Sequence, residues 1–319
     1  MRGVYLSDGT VSVRDDLPDA PPAEGECHVE VLRAGVCATD LALARGYMGF
    51  RGVPGHEFVG RALDGPLSGR RVVGEINAGC GACVDCRRGD PRHCPERTVL
   101  GILGRPGAFA ERLHLPAANL LAVPDAVSDE AAVFVEPLAA ALEITEQVTV
   151  VPGMHVLVAG DGRLGLLCAW ILARTGASVA VAGRHPDRAA LLPDGVKLHT
   201  GLLEASPPGP QRYDVAVEAT GNAEALAGLR AHVRPRGTIV LKTTSELPAP
   251  IDLAPLVVDE QTLVGSRCGR FGPAMDLLAD GAVPVERFVH DRFALGDAPA
   301  AFARAGERGV LKVLLEIGA

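Results

Sequence analysis

The sequence VAGDGRLG, residues 158–165, overlaps the end of a strand-like apolar run at 155–159. It matches G-x-G-x-x-G, the turn that joins the first strand of a dinucleotide-binding unit to its first helix. In that turn Gly160 permits the tight bend, Gly162 lets the backbone approach a pyrophosphate, and Gly165 lets the helix pack closely on the strand. A plain glycine-rich turn is the alternative, but the position between a strand and a helix favours nucleotide binding.

The region after this turn alternates between helix-like and strand-like segments. A helical pattern covers 164–174, and Arg163 and Leu164 would lie at its N-terminus, which favours phosphate charge. The later strand candidates are Ser178–Ala182, Tyr213–Glu218, Gly237–Leu241 and Gln261–Val264. This alternation indicates the α/β class, with a doubly wound parallel sheet of the Rossmann type.

The end of the second strand indicates which nicotinamide cofactor binds. NAD-binding folds place Asp or Glu there to bind the ribose 2′-hydroxyl, and counting from Gly165 puts that place at Gly183. Arg184 and His185 follow, with Arg188 nearby. A missing carboxylate removes repulsion toward a 2′-phosphate, and an arginine can bind such a phosphate bidentately. We therefore predict NADP over NAD; the alternative is that Arg184 stacks on adenine or faces solvent.

Cysteines cluster in a short segment with the spacing C-x2-C-x2-C-x7-C. Its members are Cys80, Cys83, Cys86 and Cys94. Four thiolates so close in sequence can close a tetrahedron around Zn²⁺ and leave no open position, so this site should be structural. Four unrelated thiols and an iron–sulfur cluster are the alternatives. The cysteines predicted to be non-ligands are Cys27, Cys168 and Cys268.

Three further segments carry a sulfur, a nitrogen and an oxygen donor. They are GVCATD at 35–40, GHE at 55–57 and VEPL at 135–138. A catalytic zinc site needs three protein ligands and one position for water or substrate, and Cys37, His56 and Glu136 could supply the ligands. Taken singly, each residue has a simpler explanation. Cys37 could be a small core residue, His56 a hydrogen-bonded core histidine, and Glu136 a carboxylate at a helix start.

Taken together, the order GVCATD, PGHE, the four-cysteine segment and VEPLAAA resembles the zinc-containing medium-chain dehydrogenase/reductase family. The polyol, sugar and threonine dehydrogenases are the most similar in style. The resemblance covers nearly the whole chain and implies a β-rich GroES-like catalytic domain beside the Rossmann domain. It implies that Cys37, His56 and Glu136 bind the catalytic zinc, since the third ligand in these relatives is often a Glu in an E-P-L motif. Glu57 would then be an alternate or transient ligand.

The resemblance also implies roles for the neighbours of these ligands. Asp40 would orient His56 through its other ring nitrogen. Thr39 would hydrogen-bond the substrate hydroxyl and pass on its proton. Many relatives carry a relay His five residues after the ligand Cys, where this chain has Ala42. Either water and ribose hydroxyls carry the proton, or the chemistry differs from simple alcohol oxidation.

Other positions are assigned by the same resemblance. Thr220 and Arg267 lie in loops expected near the cofactor, and Lys312 matches a lysine common near the C-terminus of the family, interpreted as structural. One cluster would face the substrate or else pack locally. Its members are Tyr47, Met48 and Phe50, and residues near Thr39 and Leu103 would also line the pocket.

The chain has 319 residues, a net charge of -8, 48% hydrophobic and 22% charged residues. This length fits two domains, which we predict as a catalytic domain at 1–143, completed by 285–319, and a Rossmann domain at 144–284. The acidic balance and the lack of a basic run argue against nucleic-acid binding. No apolar run suits a membrane span or a signal peptide, so we expect a cytoplasmic protein. Family members are usually oligomeric, so a homodimer or homotetramer is expected.

These features predict a zinc-dependent oxidoreductase with two Zn²⁺ per chain. It would transfer a hydride between NAD(P) and a small secondary alcohol, polyol, sugar or amino alcohol, or the corresponding carbonyl. One alternative is a reductase of the same fold that acts on an unusual carbonyl or an activated double bond. Another is a non-enzymatic, nucleotide-sensing zinc protein, although an open metal site has little structural use.

Overall fold

Eighteen strands and nine α-helices lie in the residues that the computed structural model describes, 1–203, 213–222, 224–244 and 251–318. The strands are β1 (Gly3–Ser7), β2 (Thr10–Arg14), β3 (Glu26–Gly35), β4 (Glu57–Ala62), β5 (Arg71–Gly74), β6 (Asn77–Ala78), β7 (Thr98–Leu100), β8 (Gly104–Arg105), β9 (Arg112–Pro116), β10 (Leu120–Ala122), β11 (His155–Ala159), β12 (Ser178–Gly183), β13 (Lys197–Thr200), β14 (Tyr213–Glu218), β15 (Val233–Leu241), β16 (Thr262–Gly265), β17 (Val289–Ala294) and β18 (Lys312–Glu316). The helices are α1 (Ala38–Ala44), α2 (Val84–Arg87), α3 (Asp129–Val133), α4 (Val135–Gln147), α5 (Arg163–Ala173), α6 (Ala225–Ala231), α7 (Ala254–Val258), α8 (Phe271–Ala279) and α9 (Ala298–Ala305).

The chain divides into two compact units, Met1–Glu136 with Phe271–Ala319, and Pro137–Arg270. The functional domains predicted from the sequence divide at 143/144 and at 284/285. These boundaries stay a prediction. Within the described parts of the chain, no helix combines the length and hydropathy needed to cross a membrane.

The largest sheet of the first unit has the strand order β10-β5-β4-β3-β18-β17, and β9 also pairs with β3. Strands β3 and β4 are antiparallel, and their valines at 29, 31 and 59 are buried on the core side of the pleat. Strand β18 runs antiparallel to β3, with Leu314 opposite Gly35. The C-terminal strand therefore belongs to the sheet that leads into the predicted Cys37 and His56 segments.

The sheet of the second unit is parallel throughout its described strands, in the order β13-β12-β11-β14-β15-β16. Its core is built from short apolar side chains such as Leu157, Ala216 and Ile239, as expected for strands covered on both faces. The strand order reverses between β11 and β14, which places a crevice at the carboxyl ends of these strands. The predicted doubly wound α/β sheet is confirmed.

The turn between β11 and α5 depends on two glycines. Gly160 has a φ of +110°, and a Cβ on it would overlap the carbonyl oxygen of Ala219. A Cβ on Gly165 would overlap the carbonyl oxygen of Gly160. Larger residues would therefore separate α5 from the sheet, and the close packing of α5 on β11 follows from the sequence of the turn.

Candidate active site

Sulfur, nitrogen and oxygen donors converge in the first unit. The sulfur of Cys37, a ring nitrogen of His56 and a carboxylate oxygen of Glu57 all lie within 4.8 Å of one another. Cys37 directly precedes α1, His56 directly precedes β4, and Glu57 is the first residue of β4. His56 and Glu57 are buried, and Cys37 is half-buried. The structure thus brings together two of the three predicted ligands and the predicted alternate ligand.

Asp40 holds the two ligand-bearing segments together. Its carboxylate is fully buried, and its two oxygens accept hydrogen bonds from the backbone N–H of Cys37 at 2.8 Å and of Gly55 at 3.1 Å. The oxygen that faces Gly55 also lies 3.4 Å from Nδ1 of His56. Asp40 therefore fixes the backbone of both segments that carry the donors. It also lies beside Nδ1 of His56, the ring that the sequence predicts it to orient.

Negative charge surrounds the His56 ring. Burial alone would lower the pKa of His56, but the Asp40 carboxylate and the Cys37 sulfur together raise that pKa well above its ordinary value. A site that favours a proton on this ring also favours a metal cation in the proton's place. A buried set of sulfur, nitrogen and oxygen donors within mutual reach fits Zn²⁺.

The four predicted structural cysteines also converge in the first unit. Their sulfurs lie within 4.8 Å of one another, in a lobe that contains α2 and the 3₁₀ turn Pro91–His93. Backbone N–H groups point at the sulfurs: Cys80 donates to Cys94 at 3.3 Å and Cys83 donates to Cys80 at 3.4 Å. The hydrogen bond from Cys80 contributes most to lowering the pKa of Cys94 to about 7. Four converging sulfurs that accept backbone N–H groups fit a tetrahedral zinc site.

A cavity of about 470 Å³ opens at the carboxyl ends of β11, β12 and β14 in the second unit. The predicted cofactor residues that line it are Gly160, Gly162, Gly183, Arg184, His185 and Thr220. A Cβ at Gly162 would meet no protein atom within 4 Å, so the missing side chain leaves room in the cavity itself. The glycine turn and this free space fit a dinucleotide whose pyrophosphate approaches the start of α5.

Comparison with known proteins agrees with both halves of this arrangement. Residues 23–125 match the family model described as alcohol dehydrogenase GroES-like domain. An L-threonine 3-dehydrogenase from Chelativorans sp. (strain BNC1) is 30% identical, over 95% of this chain and 94% of that protein. The chain belongs to the zinc-containing medium-chain dehydrogenase/reductase family.

Solved structures support the same fold for the whole chain. A zinc-binding dehydrogenase from Sinorhizobium meliloti 1021 bound to NADP has a TM-score of 0.88 and 26% identity, covering 99% of this chain and 98% of that chain. An alcohol dehydrogenase from Escherichia coli CFT073 complexed with NADH has a TM-score of 0.87 and 25% identity, covering 99% of both chains. The family and the GroES-like plus Rossmann fold predicted from the motifs are confirmed. This member of the medium-chain family is a zinc-dependent oxidoreductase that transfers a hydride between NAD(P) and an alcohol or its carbonyl.

Beside the donor cluster of this medium-chain dehydrogenase lies a buried ion pair that the sequence did not predict. The ammonium group of Lys312 donates to the Glu57 carboxylate, and both side chains are fully buried. A Cβ on Gly35 would lie 2.8 Å from Oε2 of Glu57, so the glycine leaves room for the pair. Burial lowers the pKa of Lys312 and the charges of Cys37 and Asp40 oppose that shift. A lysine at the start of the apolar strand KVLLE was the sequence signal for a buried partner.

The remaining residues predicted around the catalytic zinc lie outside the cluster of three donors. Glu136 lies in the first turn of α4 and is half-buried. Thr39 lies in α1 and is half-buried, as is Ala42, the position where many relatives carry the relay histidine. Of the residues predicted to line the substrate pocket, Met48 and Leu103 are exposed.

A carboxylate at the cofactor cavity was also missed. Asp161 is the second residue of the glycine turn, and its side chain fills the space beside Gly183. A Cβ on Gly183 would lie 2.5 Å from Oδ2 of Asp161. Burial raises the pKa of Asp161, but hydrogen bonds from the backbone N–H groups of His185 and Arg184, both 2.7 Å long, lower it overall. Sequence reasoning looked for an acid at the end of β12 and found none, because the acid comes from the preceding turn instead.

The other predicted cofactor residues do not line this cavity. Arg163, Leu164 and Gly165 form the first turn of α5, whose N-terminus follows directly on the glycines that do. Arg267 follows β16 and is exposed, while its backbone carbonyl accepts a 3.0 Å hydrogen bond from the buried Lys242.

Proposed function

We propose that Cys37, His56 and Glu136 hold the catalytic zinc ion, with Glu57 as an alternate ligand. The observation that carries this proposal is the convergence of the Cys37, His56 and Glu57 donors within 4.8 Å. Because Glu57 is already paired with Lys312, a resident carboxylate ligand from another segment leaves the buried ion pair intact. Glu136 is the carboxylate that the family pattern VEPL assigns to this role.

The residues around this site have distinct tasks in the proposed reaction. A zinc ion held here supplies Lewis acidity, which polarises an alcohol or carbonyl oxygen. A nicotinamide in the second unit supplies the hydride acceptor or donor. Thr39 accepts the proton of the substrate hydroxyl and passes it on. Because Ala42 carries no proton-transferring group, this side chain cannot continue the relay, and the next acceptor would have to be water or a hydroxyl of the bound cofactor.

The substrate class that we propose is a secondary alcohol within a polyol, sugar or amino alcohol. L-Threonine, the substrate named for the Chelativorans relative, is an amino alcohol of this class. The test is a screen of such alcohols and their carbonyls, in which the absorbance of the reduced nicotinamide measures turnover. Reduction of an activated double bond, without turnover of any alcohol or simple carbonyl, would favour the reductase alternative.

The variant Glu136→Ala tests the third ligand. We expect it to lower the zinc content by one ion per chain and to reduce kcat/KM by about 10²-fold or more, since loss of Lewis acid catalysis costs several kcal/mol. Zinc content by mass spectrometry and steady-state kinetics are the measurements. Glu146→Ala, an exposed carboxylate on the same helix, is the matched control and should change neither quantity.

The double variant Glu57→Gln, Lys312→Met separates the two carboxylates. It removes both charges of the buried pair and so avoids the cost of leaving Lys312 uncompensated, about 3–5 kcal/mol for a broken buried pair. We expect it to retain its zinc. If it loses the ion while Glu136→Ala keeps both zinc and activity, Glu57 is the resident ligand and our assignment is wrong.

We also propose that NADP is preferred over NAD. Arg184 is exposed at the cofactor cavity, and His185 and Arg188 lie beside it. The opposing carboxylate of Asp161 is already compensated by two backbone N–H groups and by Arg188, whose Nη1 lies 3.5 Å from Oδ1. The exposed arginine is thus the group left to bind a 2′-phosphate.

Replacing Arg184 with Ala is expected to raise KM for NADP about 10- to 100-fold, because a hydrogen bond to a charged group contributes about 1.5–3 kcal/mol. The KM for NAD should stay nearly constant. Steady-state kinetics with both cofactors measure the two values. Arg174→Ala, at the other end of α5, is the control. An equal loss with both cofactors would mean that Arg184 stacks on adenine and does not read the 2′ position.

Further parts of the proposal concern the whole protein. The four-cysteine lobe holds a second, structural zinc, which gives two ions per chain. A cluster of zinc-binding cysteines suits a reducing compartment, so we propose a cytoplasmic location. The proposed assembly is a homodimer or homotetramer, which sedimentation analysis would distinguish from a monomer.

A further inference from the structure

Two histidines face each other in the first unit, outside the two metal clusters described above. His28 in β3 and His114 in β9 are directly opposite in the antiparallel register. Their rings meet edge to face, at 90°, with centroids 4.6 Å apart. Directly opposed residues on adjacent strands keep their side chains within contact distance, so the two imidazoles are held as a pair by the sheet itself.

A carboxylate completes this pair. Asp19 lies in the segment between β2 and β3. Its carboxylate oxygen, a ring nitrogen of His28 and a ring nitrogen of His114 all lie within 4.8 Å of one another. The two histidines are half-buried and Asp19 is exposed. Two imidazole nitrogens and one carboxylate oxygen are a ligand set suited to Zn²⁺.

A second carboxylate orients the His28 ring. Asp64 accepts a 3.0 Å hydrogen bond from the backbone N–H of His28 and lies 2.9 Å from Nδ1 of its ring. A neutral His28 that donates its Nδ1 proton to Asp64 carries its lone pair on Nε2. Metal-binding histidines are commonly fixed in this way by a carboxylate on the ring nitrogen that does not bind the metal.

The surrounding charges permit a cation. Asp19 is paired with Arg112, and Glu26 is paired with Arg105 at 2.6 Å. With both arginines compensated, Asp64 supplies the excess negative charge beside the histidine pair. The Arg112 contact uses one oxygen of Asp19 and leaves the other for a cation.

We propose that Asp19, His28 and His114 form a further metal site, which binds a divalent transition-metal ion such as Zn²⁺. Donor atoms in a tetrahedral site lie roughly 3.4 Å apart, given bonds of about 2.1 Å. The three donor atoms, which lie within 4.8 Å of one another, would have to draw together by at most about 1.4 Å to reach that spacing. Water completes the coordination. Binding ties the segment between β2 and β3 to the sheet, and so the ion is structural or regulatory and takes no part in hydride transfer.

The test is titration of Zn²⁺ into the full-length holoenzyme, after dialysis against a chelating resin and measurement of its resident zinc. We expect one further equivalent to bind by calorimetry. His28→Gln and His114→Gln should each weaken this binding at least tenfold, and Asp64→Asn about tenfold, as is usual for a group that orients a ligand. His199→Gln, an exposed histidine on β13, is the matched control and should bind as the unaltered protein does.

An independent readout identifies the donors. The electron paramagnetic resonance spectrum of Cu²⁺ bound as the added equivalent should show two nitrogen ligands, and one in either histidine variant. Asp19→Asn, at an exposed position, replaces the histidine variants if they do not fold, and should also weaken Zn²⁺ binding about tenfold. The proposal is wrong if no equivalent binds beyond the resident zinc. It is also wrong if the affinity is unchanged in the variants that fold.

Discussion

Replacing His56 with Ala is expected to remove one zinc ion per chain and to lower kcat/KM for alcohol oxidation by at least about 10³-fold. The ring nitrogen is one of the three donors that lie within 4.8 Å of one another, and His56 is buried. Loss of Lewis acid stabilisation of about 4 kcal/mol corresponds to this factor. Metal analysis and steady-state kinetics of the purified variant provide the measurements.

Two controls make this result specific. His155→Ala, an exposed position at the start of β11, should retain both metal and activity. Far-ultraviolet circular dichroism should show that the His56 variant is folded, since the Asp40 hydrogen bonds to Cys37 and Gly55 remain. Full activity in a variant that has lost this zinc would remove the ion from the mechanism.

The second large effect is expected for Cys94→Ser. Cys94 is fully buried and its sulfur accepts the N–H of Cys80, so a hydroxyl here replaces a thiolate with a poor zinc ligand. We expect loss of one zinc ion and a decrease of about 4 kcal/mol in the free energy of unfolding, the contribution of a ligand present at about 1,000 times its Kd. Thermal denaturation with and without added zinc measures the difference.

Cys268→Ser is the matched control, because this cysteine lies outside the four-cysteine lobe. It should keep its full zinc content and its unfolding temperature. If Cys94→Ser retains two zinc ions and full stability, Cys94 is not a zinc ligand and the assignment of the four-cysteine site is wrong.

The glycine turn shows why much of the fold could be predicted. At Gly165 a side chain would collide with the carbonyl oxygen of Gly160, only a few residues earlier, so this constraint is local and visible in the sequence. The same holds for the four cysteines, whose spacing is itself the site. For these parts, short-range geometry and residue type are enough to predict the structure.

The carboxylates show where such reasoning fails. Asp161 occupies the space beside Gly183, and Glu57 pairs with Lys312 from a strand 255 residues away. Both arrangements depend on which segments the sheets place side by side. A search at a fixed offset from the glycine turn correctly found no acid at position 183, yet a carboxylate lies there all the same.

Strand β18 has a consequence for synthesis of the protein on the ribosome. It pairs with β3, although the whole second unit lies between these two strands in the sequence. It also carries Lys312, which neutralises Glu57. The second unit, Pro137–Arg270, is continuous in sequence and can collapse as soon as it emerges. The sheet that contains β3 and β4 is complete only when β18 has been synthesised. A nascent chain can therefore form its nucleotide site before the sheet of the first unit is complete, and the ion pair of Glu57 with Lys312 forms only after β18 has emerged.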